Sequence, residues 1–175
     1  AEDGIRARSP SRGLGDVYKR QGQWLVFVGH TGVGKTHLAI AIYNLRVQQN
    51  KNAMFTRVPD LMDHLRSTFA PDSPVRYDEI FERVKEAPLL VLDDLGTQSS
   101  TAWAEEKLHQ LIVHRHDARL PTVITVNPRV RLTDAVGSRL ADVRFVSTVE
   151  LDVPDYRNAA ISRPRQVQGE RQRRG

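Results

Sequence analysis

Apolar and polar positions alternate in blocks along the middle of this chain. Short apolar runs at Trp24–Val28, Ala53–Val58, Leu89–Asp93, Thr122–Val126 and Arg144–Leu151 have the length and β-branched content of strands covered on both faces. Between them lie longer stretches with helical spacing, at Lys35–Gln49, Pro59–Phe69, Tyr77–Glu86, Ala102–Ala118 and Leu132–Leu140. In the fourth, Ala104, Leu108, Leu111 and Ile112 fall at i, i+4, i+7 and i+8, one apolar stripe that must face a sheet. Strand and helix in regular alternation predict an α/β fold, a three-layer sandwich in which a five-stranded parallel sheet carries helices on both faces. No internal repeat breaks the pattern, and Ala70–Pro71–Asp72–Ser73–Pro74 is the one loop-rich stretch inside it.

The two ends do not share this pattern. Residues 1–21 hold Gly, Ser, Pro and Arg among other residues without periodicity, and Gly13 to Gln21 resembles a translated adapter scar, so this leader is left out of the fold reasoning. Residues 158–175 are polar and basic with Pro164 among them, which predicts a disordered tail. The expected organisation is therefore a leader at 1–21, one domain at 22–157 and a basic tail at 158–175.

A chain of 175 residues with 39% hydrophobic and 27% charged residues suits a single globular domain. Its net charge of +5 invites a nucleic-acid reading, but the charge sits at the ends. Residues 1–21 carry a net +2 and residues 158–175 a net +4, which leaves the presumed domain at −1, so overall basicity defines no nucleic-acid footprint. The chain has no cysteine, which excludes disulfides and thiolate metal sites. No apolar run nears the roughly 20 residues of a membrane span, so a cytoplasmic protein is expected.

The chemistry is concentrated after the first strand, where Gly29-His30-Thr31-Gly32-Val33-Gly34-Lys35-Thr36 follows the G-x-x-x-x-G-K-[ST] pattern of a phosphate-binding loop. Glycines allow the backbone to curl around a phosphate with its N–H groups pointing inward, and the helix that follows aims the positive end of its dipole at the anion. The residues expected to hold a nucleoside triphosphate are Gly29, Thr31, Gly32, Val33, Gly34, Lys35, Thr36 and His37. Lys35 would reach the β- and γ-phosphates, and Thr36 would offer its hydroxyl to Mg²⁺.

Leu89-Leu90-Val91-Leu92-Asp93-Asp94 is an apolar strand that ends in two carboxylates, at the sheet edge where open α/β proteins bind ligands. This is the form of a Walker B site, in which Asp93 would share Mg²⁺ with Thr36 and Asp94 would orient and deprotonate water. Asp94 is one methylene shorter than the glutamate often found at such a position. Asn127, at the tip of another strand, would lie near the γ-phosphate if that strand sits between the first and the Asp93 strands; as Asn-Pro it also suits a turn. Arg139 and Arg157 are candidates to meet charge developing on the transferred phosphoryl group. The six histidines show no metal-ligand spacing. Trp103 reads as packing before base stacking, and Arg115, Arg129 and Arg131 are DNA-contact candidates by charge and by proximity to sheet-tip loops.

Together these motifs resemble the AAA+ ATPase domain of the DnaC/DnaI-type replicative helicase loaders and the related IstB-like ATP-binding proteins. The residues that carry the resemblance are Gly29 to Ala39, Leu92-Asp93-Asp94-Leu95-Gly96, Trp103 to Leu108, Leu120 to Asn127, Ser138-Arg139-Leu140 and Asp155-Tyr156-Arg157. It spans about Gly22 to Arg157, without the N-terminal region by which such proteins grip the helicase. The resemblance implies a P-loop NTPase of the AAA+ type with strand order 5-1-4-3-2 and a minimal or absent helical lid. It implies ATP and Mg²⁺ as cofactors, Asn127 as sensor 1, Arg139 as a finger acting in trans and Arg157 as sensor 2. As partners it implies a hexameric replicative helicase, single-stranded DNA and further copies of the chain across the ATP interface. Two other readings stay open: an IstB-like transposition helper, and a nucleotide-switched adaptor with negligible turnover.

Overall fold

The first apolar run becomes a strand flanked on both sides by other strands, and a computed structural model shows how the rest assembles on it. The structure describes residues 24–69, 76–98 and 101–156. The predicted leader and tail, the Ala70–Pro74 loop and Arg157 lie outside the described residues.

In chain order the elements are β1 (Trp24–Gly29), α1 (Lys35–Gln48), β2 (Met54–Arg57), α2 (Val58–Ser67), α3 (Tyr77–Lys85), β3 (Leu90–Leu95), α4 (Ala102–Asp117), β4 (Thr122–Val126), α5 (Asp134–Leu140) and β5 (Val146–Leu151). All strand pairings among them are parallel, and the order across the sheet is β2-β3-β4-β1-β5, the expected 5-1-4-3-2 read from the other edge.

Side chains alternate across a strand, so each strand feeds two cores. Leu25, Phe27, Leu89, Val91 and Val123 face α1 and pack on its Ala39 and Ile42. On the other face Trp24, Val26, Leu90, Leu92 and Ile124 meet α2, α3, α4 and α5. The predicted α4 stripe is buried, with Ala104, Leu111 and Ile112 at 0% exposure and Leu108 at 4%. Thr101 caps α4, its hydroxyl accepting the Ala104 N–H at 3.2 Å.

Most boundaries shift by a residue or two from the sequence reading, and four of the shifts have a plain local cause. The third strand continues past Asp93 to Leu95 through a register shift, described below. The second strand ends at Arg57 because α2 begins at Val58, with Pro59 in the first turn, where its missing N–H costs nothing. The fifth helix starts at Asp134 with extended Thr133 before it, while Leu132 packs against the core instead of extending the helix. The fifth strand starts at Val146 and not Arg144, because the Phe145 and Val146 N–H groups both donate to the Asp142 carbonyl and close a turn there.

Arg115 also differs from expectation. It is fully buried, with Nε donating to Thr122 Oγ1 at 3.0 Å, Nη1 to the Lys85 and Ala87 carbonyls at 2.7 and 2.9 Å, and Nη2 to the Pro121 carbonyl at 2.7 Å. Burial pulls its pKa from 12.5 down to about 10, but every donor group is satisfied. It ties α4 to the loops that enter β3 and β4, so no DNA contact is available to it.

Candidate functional site

At the end of β1 there is no room for a side chain on Gly29. A Cβ on Gly29 would lie 2.8 Å from both the Leu151 carbonyl and the Val33 side chain. Gly32 and Gly34 have φ of 83° and 94°, the left-handed region that glycine enters at no steric cost. Gly34 is also the residue before α1, which has no side-chain cap and no acidic residue in its first turn, so its N–H groups and dipole meet the loop without competition. Lys35 is buried at 7% exposure, with Nζ donating to the Gly29 and His30 carbonyls at 2.8 Å each, which holds the ammonium inside the curl.

Thr36, one residue on, reaches the tip of β3. Its Oγ1 lies 3.0 Å from Asp93 Oδ1 and 3.2 Å from Oδ2. Asp93 is completely buried and is held on its other side by Thr125 of β4, whose hydroxyl donates to Oδ1 at 2.7 Å. The same Thr125 oxygen accepts the Asp94 N–H at 2.9 Å. One buried hydroxyl thus fixes both members of the acidic pair.

Neighbouring residues of a regular strand point to opposite faces, so Asp93 and Asp94 need an irregularity to serve one site. Between Leu92 and Leu95, β3 has one residue more than β4 has between Ile124 and Val126, a bulge. Asp94 sits in it with φ of 59°, and Thr97 closes the turn by donating to the Asp94 carbonyl from Oγ1 at 2.7 Å.

These elements surround a cavity of about 910 Å³, a size that suits a nucleotide. From the loop and the start of α1, Thr31, Gly32, Val33, Gly34, Lys35, Thr36 and His37 line it. Asp94, Thr97 and Asn127 line it from the tips of β3 and β4, with Arg57 from the tip of β2. Val153, Pro154 and Tyr156 join them from the segment after β5. That segment is fastened to the loop: the Tyr156 N–H donates to the Gly32 carbonyl at 3.2 Å, and a Cβ on Gly32 would overlap the Asp155 carboxylate.

With this geometry in view, the comparison with known families is decisive. A model of the IstB-like ATP binding protein family matches residues 12–149.

The chain belongs to that family.

Its AAA+ P-loop fold is shared with solved relatives. Among IstB-like relatives, the replicative helicase loader DnaC of Escherichia coli strain K12 is 28% identical over 118 residues, covering 67% of this chain and 48% of DnaC. The replicative helicase loader DnaI of Bacillus subtilis strain 168 is 32% identical over 108 residues, covering 61% of this chain and 34% of DnaI. This chain therefore spans less than half the length of either relative. The crystal structure of a DnaC helicase loader superposes with a TM-score of 0.59 at 26% identity, covering 75% of this chain and 80% of that one.

Within this IstB-like domain the sequence-predicted residues divide clearly. Thr31 to His37, Asp93, Asp94 and Asn127 come together, with Gly29 beneath them as the pivot of the loop. Asn127 also serves the turn that its Pro128 neighbour suggests, since its Oδ1 accepts the Arg129 N–H at 3.0 Å and its carbonyl accepts the Val130 N–H. Arg139 is not at the cavity. It lies on α5 with Nη1 donating to the Ala135 carbonyl at 3.1 Å. Four contributors had no role assigned from sequence: Thr97, Thr125, Arg57 and the segment Val153–Tyr156.

A second cluster lies apart from the cavity. Exposed Phe69 stacks on Tyr77 at 5.0 Å, Tyr77 on Phe81 at 5.5 Å, and Phe69 meets the Trp103 edge at 5.8 Å. Arg66 lies over the Trp103 ring at 5.4 Å and Lys107 over Tyr77 at 5.8 Å. Trp103 is half-buried against the core, as the packing reading requires, yet it also belongs to this surface group.

Proposed function

We propose that this chain is the ATP-binding and ATP-hydrolysing AAA+ module of a replicative helicase loader that acts on single-stranded DNA. The observation that carries the reading is that Lys35 and Thr36 line one nucleotide-sized cavity while Thr36 is held against the buried Asp93 carboxylate. Thr36 and Asp93 present hard oxygen donors side by side, the set that suits Mg²⁺, and these two residues would hold it. Bound there, the ion would neutralise phosphate charge. The protein's own part is then clear: the loop N–H groups and Lys35 grip the phosphates, Asp94 orients and accepts a proton from the attacking water, and Asn127 positions the terminal phosphate or that water.

Arg139 lies away from its own cavity, as an arginine that completes a neighbouring copy's site in trans would. Arg157 as sensor 2, the hexameric helicase as partner and self-association through the ATP interface are carried over from the family resemblance. For single-stranded DNA the support is the Phe69, Tyr77 and Trp103 surface with Arg66 and Lys107, since bases stack on aromatic rings while cations meet the backbone. Arg129 and Arg131 remain exposed near the sheet tips and could add phosphate contacts.

The test is nucleotide binding and turnover of the chain and of Lys35→Ala, with and without single-stranded DNA. Tight ATP binding that Lys35→Ala abolishes, with turnover raised by DNA and lowered by Arg139→Ala, supports the reading. Undiminished ATP binding by Lys35→Ala overturns it, and DNA-insensitive, negligible turnover points to a nucleotide-switched adaptor. The family match keeps a transposition helper as the second reading, which co-purification with a transposase in place of a helicase would establish.

A further inference from the structure

Among the described residues that line the cavity, Lys35 and Arg57 are the lysine and arginine and Asp94 is the acid, with Asp93 buried behind them. A nucleoside triphosphate brings more negative charge than one lysine and one divalent ion neutralise. Something else must meet the outer end of the triphosphate.

Arg57 is placed for this by the sheet itself. It is the last residue of β2, paired in parallel register with Asp93. Register partners on neighbouring parallel strands point to the same face, so both side chains leave the sheet on the side of α1 and the phosphate loop. Its Nε lies 4.0 Å from Asp93 Oδ2, the oxygen that Thr36 Oγ1 also approaches at 3.2 Å. The Arg57 side chain is 59% exposed while Asp93 is 0% exposed. No hydrogen bond from either Nη atom is found among the described residues, so the guanidinium fork faces the cavity with its strongest donors uncommitted. The contact with buried Asp93 is 4.0 Å long and made from Nε, so it does not by itself account for the exposed fork. A neighbouring phosphate site does, because guanidinium pairs with phosphate oxygens through two parallel hydrogen bonds.

We propose that Arg57 is a second cationic ligand of the nucleotide, supplied in cis from the tip of β2, which contacts the terminal phosphate and makes this chain prefer a nucleoside triphosphate to a diphosphate. The proposal rests on the nucleotide reading above. Lys35 and the loop N–H groups would serve the phosphates that both nucleotides share, whereas Arg57, beside Asp93, would meet the added phosphate of a triphosphate.

The experiment is equilibrium titration calorimetry of the full chain with magnesium and either ADP or a non-hydrolysable ATP analogue. The variants are Arg57→Ala, Arg57→Lys and, as a reference for the site, Lys35→Ala. Loss of one charge-assisted contact predicts that Arg57→Ala weakens the triphosphate analogue by about tenfold or more and leaves ADP within about twofold. Arg57→Lys restores part of the triphosphate affinity, since it keeps the charge but not the fork. Melting of Arg57→Ala without nucleotide stays at the parent value. Equal losses for both nucleotides, an unchanged triphosphate affinity, or a loss that accompanies a lowered melting temperature overturns the proposal. If ADP binds the parent and fails on Lys35→Ala, the nucleotide reading holds whatever Arg57 does. If the parent binds neither nucleotide, both fall together.

Discussion

Replacing Thr125 by valine removes one oxygen from the interior and changes almost nothing else in shape. That oxygen donates to Asp93 Oδ1 at 2.7 Å and accepts the Asp94 N–H at 2.9 Å, in a residue with no exposed surface. The variant leaves the Asp94 N–H without its partner and takes one of two hydroxyls from a buried carboxylate. A stranded buried donor costs about 1–3 kcal/mol and a hydrogen bond to a charged group contributes about 1.5–3 kcal/mol, so together, without assuming additivity, about 2–4 kcal/mol is expected. For a domain of this size that lowers the melting temperature by about 5–15 °C. Thr125→Ser keeps the oxygen and loses a methyl, which costs only about 1 kcal/mol. Urea unfolding and calorimetric melting of both variants measure the difference. Nucleotide binding with magnesium is expected to weaken several-fold in Thr125→Val and little in Thr125→Ser, because only the former frees Asp93 and Asp94 to move. Equal stability of the valine and serine variants would refute the argument that the hydroxyl, and not its packing, organises the acidic pair.

Other expectations follow from single contacts. Arg115→Met takes donors from the carbonyls of Lys85, Ala87 and Pro121, of which Pro121 keeps the Leu90 N–H, and is expected to cost about 2–4 kcal/mol, read as a melting temperature lower by roughly 5–15 °C. Asp142 is held below its ordinary value of 3.8, chiefly by the side-chain hydrogen bond from Arg144, with the Arg144 N–H adding to it. Its folded pKa is below its unfolded one, so its contribution is present above that value and lost as the pH falls through the folded pKa. The stability gap between parent and Asp142→Asn, followed by chemical denaturation between pH 6 and pH 2.5, should therefore close toward the acid end; a gap that is constant or widens contradicts this. Phe69→Ala and Trp103→Ala are expected to weaken binding of an oligothymidine by about fivefold or more each, as base–aromatic stacking predicts, while ATP affinity stays unchanged in a fluorescence titration.

The strand order came with the family resemblance, carried by the phosphate loop, the paired acids and the Asn127 strand, while the unbroken apolar runs by themselves show only a sheet covered on both faces. The same logic located Lys35, Thr36, Asp93, Asp94 and Asn127, whose chemistry is local to a motif. Thr125 escaped because in sequence it is one more β-branched residue in Thr122–Val126; its role depends on the alignment of β4 with β3. Arg57 escaped for the related reason that it gains meaning only beside Asp93, a pairing of residues 36 apart in the chain. Arg115 was misjudged because its charge suggested a surface, while its partners are backbone carbonyls, which no side-chain pattern encodes. Residues that act through their own motif can be found in the sequence, and residues that act through sheet register need the fold.

Register also bears on why the second acid is aspartate. For Asp93 and Asp94 to serve one cavity, β3 must carry an extra residue, and the structure places that irregularity at Asp94 with φ of 59°. Most side chains enter this left-handed region at a cost, whereas Asp and Asn are several-fold enriched there. Its backbone is pinned on both sides, by Thr125 at the N–H and by Thr97 at the carbonyl, so the conformation cannot relax to suit another residue. The shorter carboxylate therefore suits the backbone that presents it. Lengthening position 94 to glutamate would trade one methylene of reach toward water against strain in the turn that holds Asp93 in place, and the two acids cannot be optimised separately.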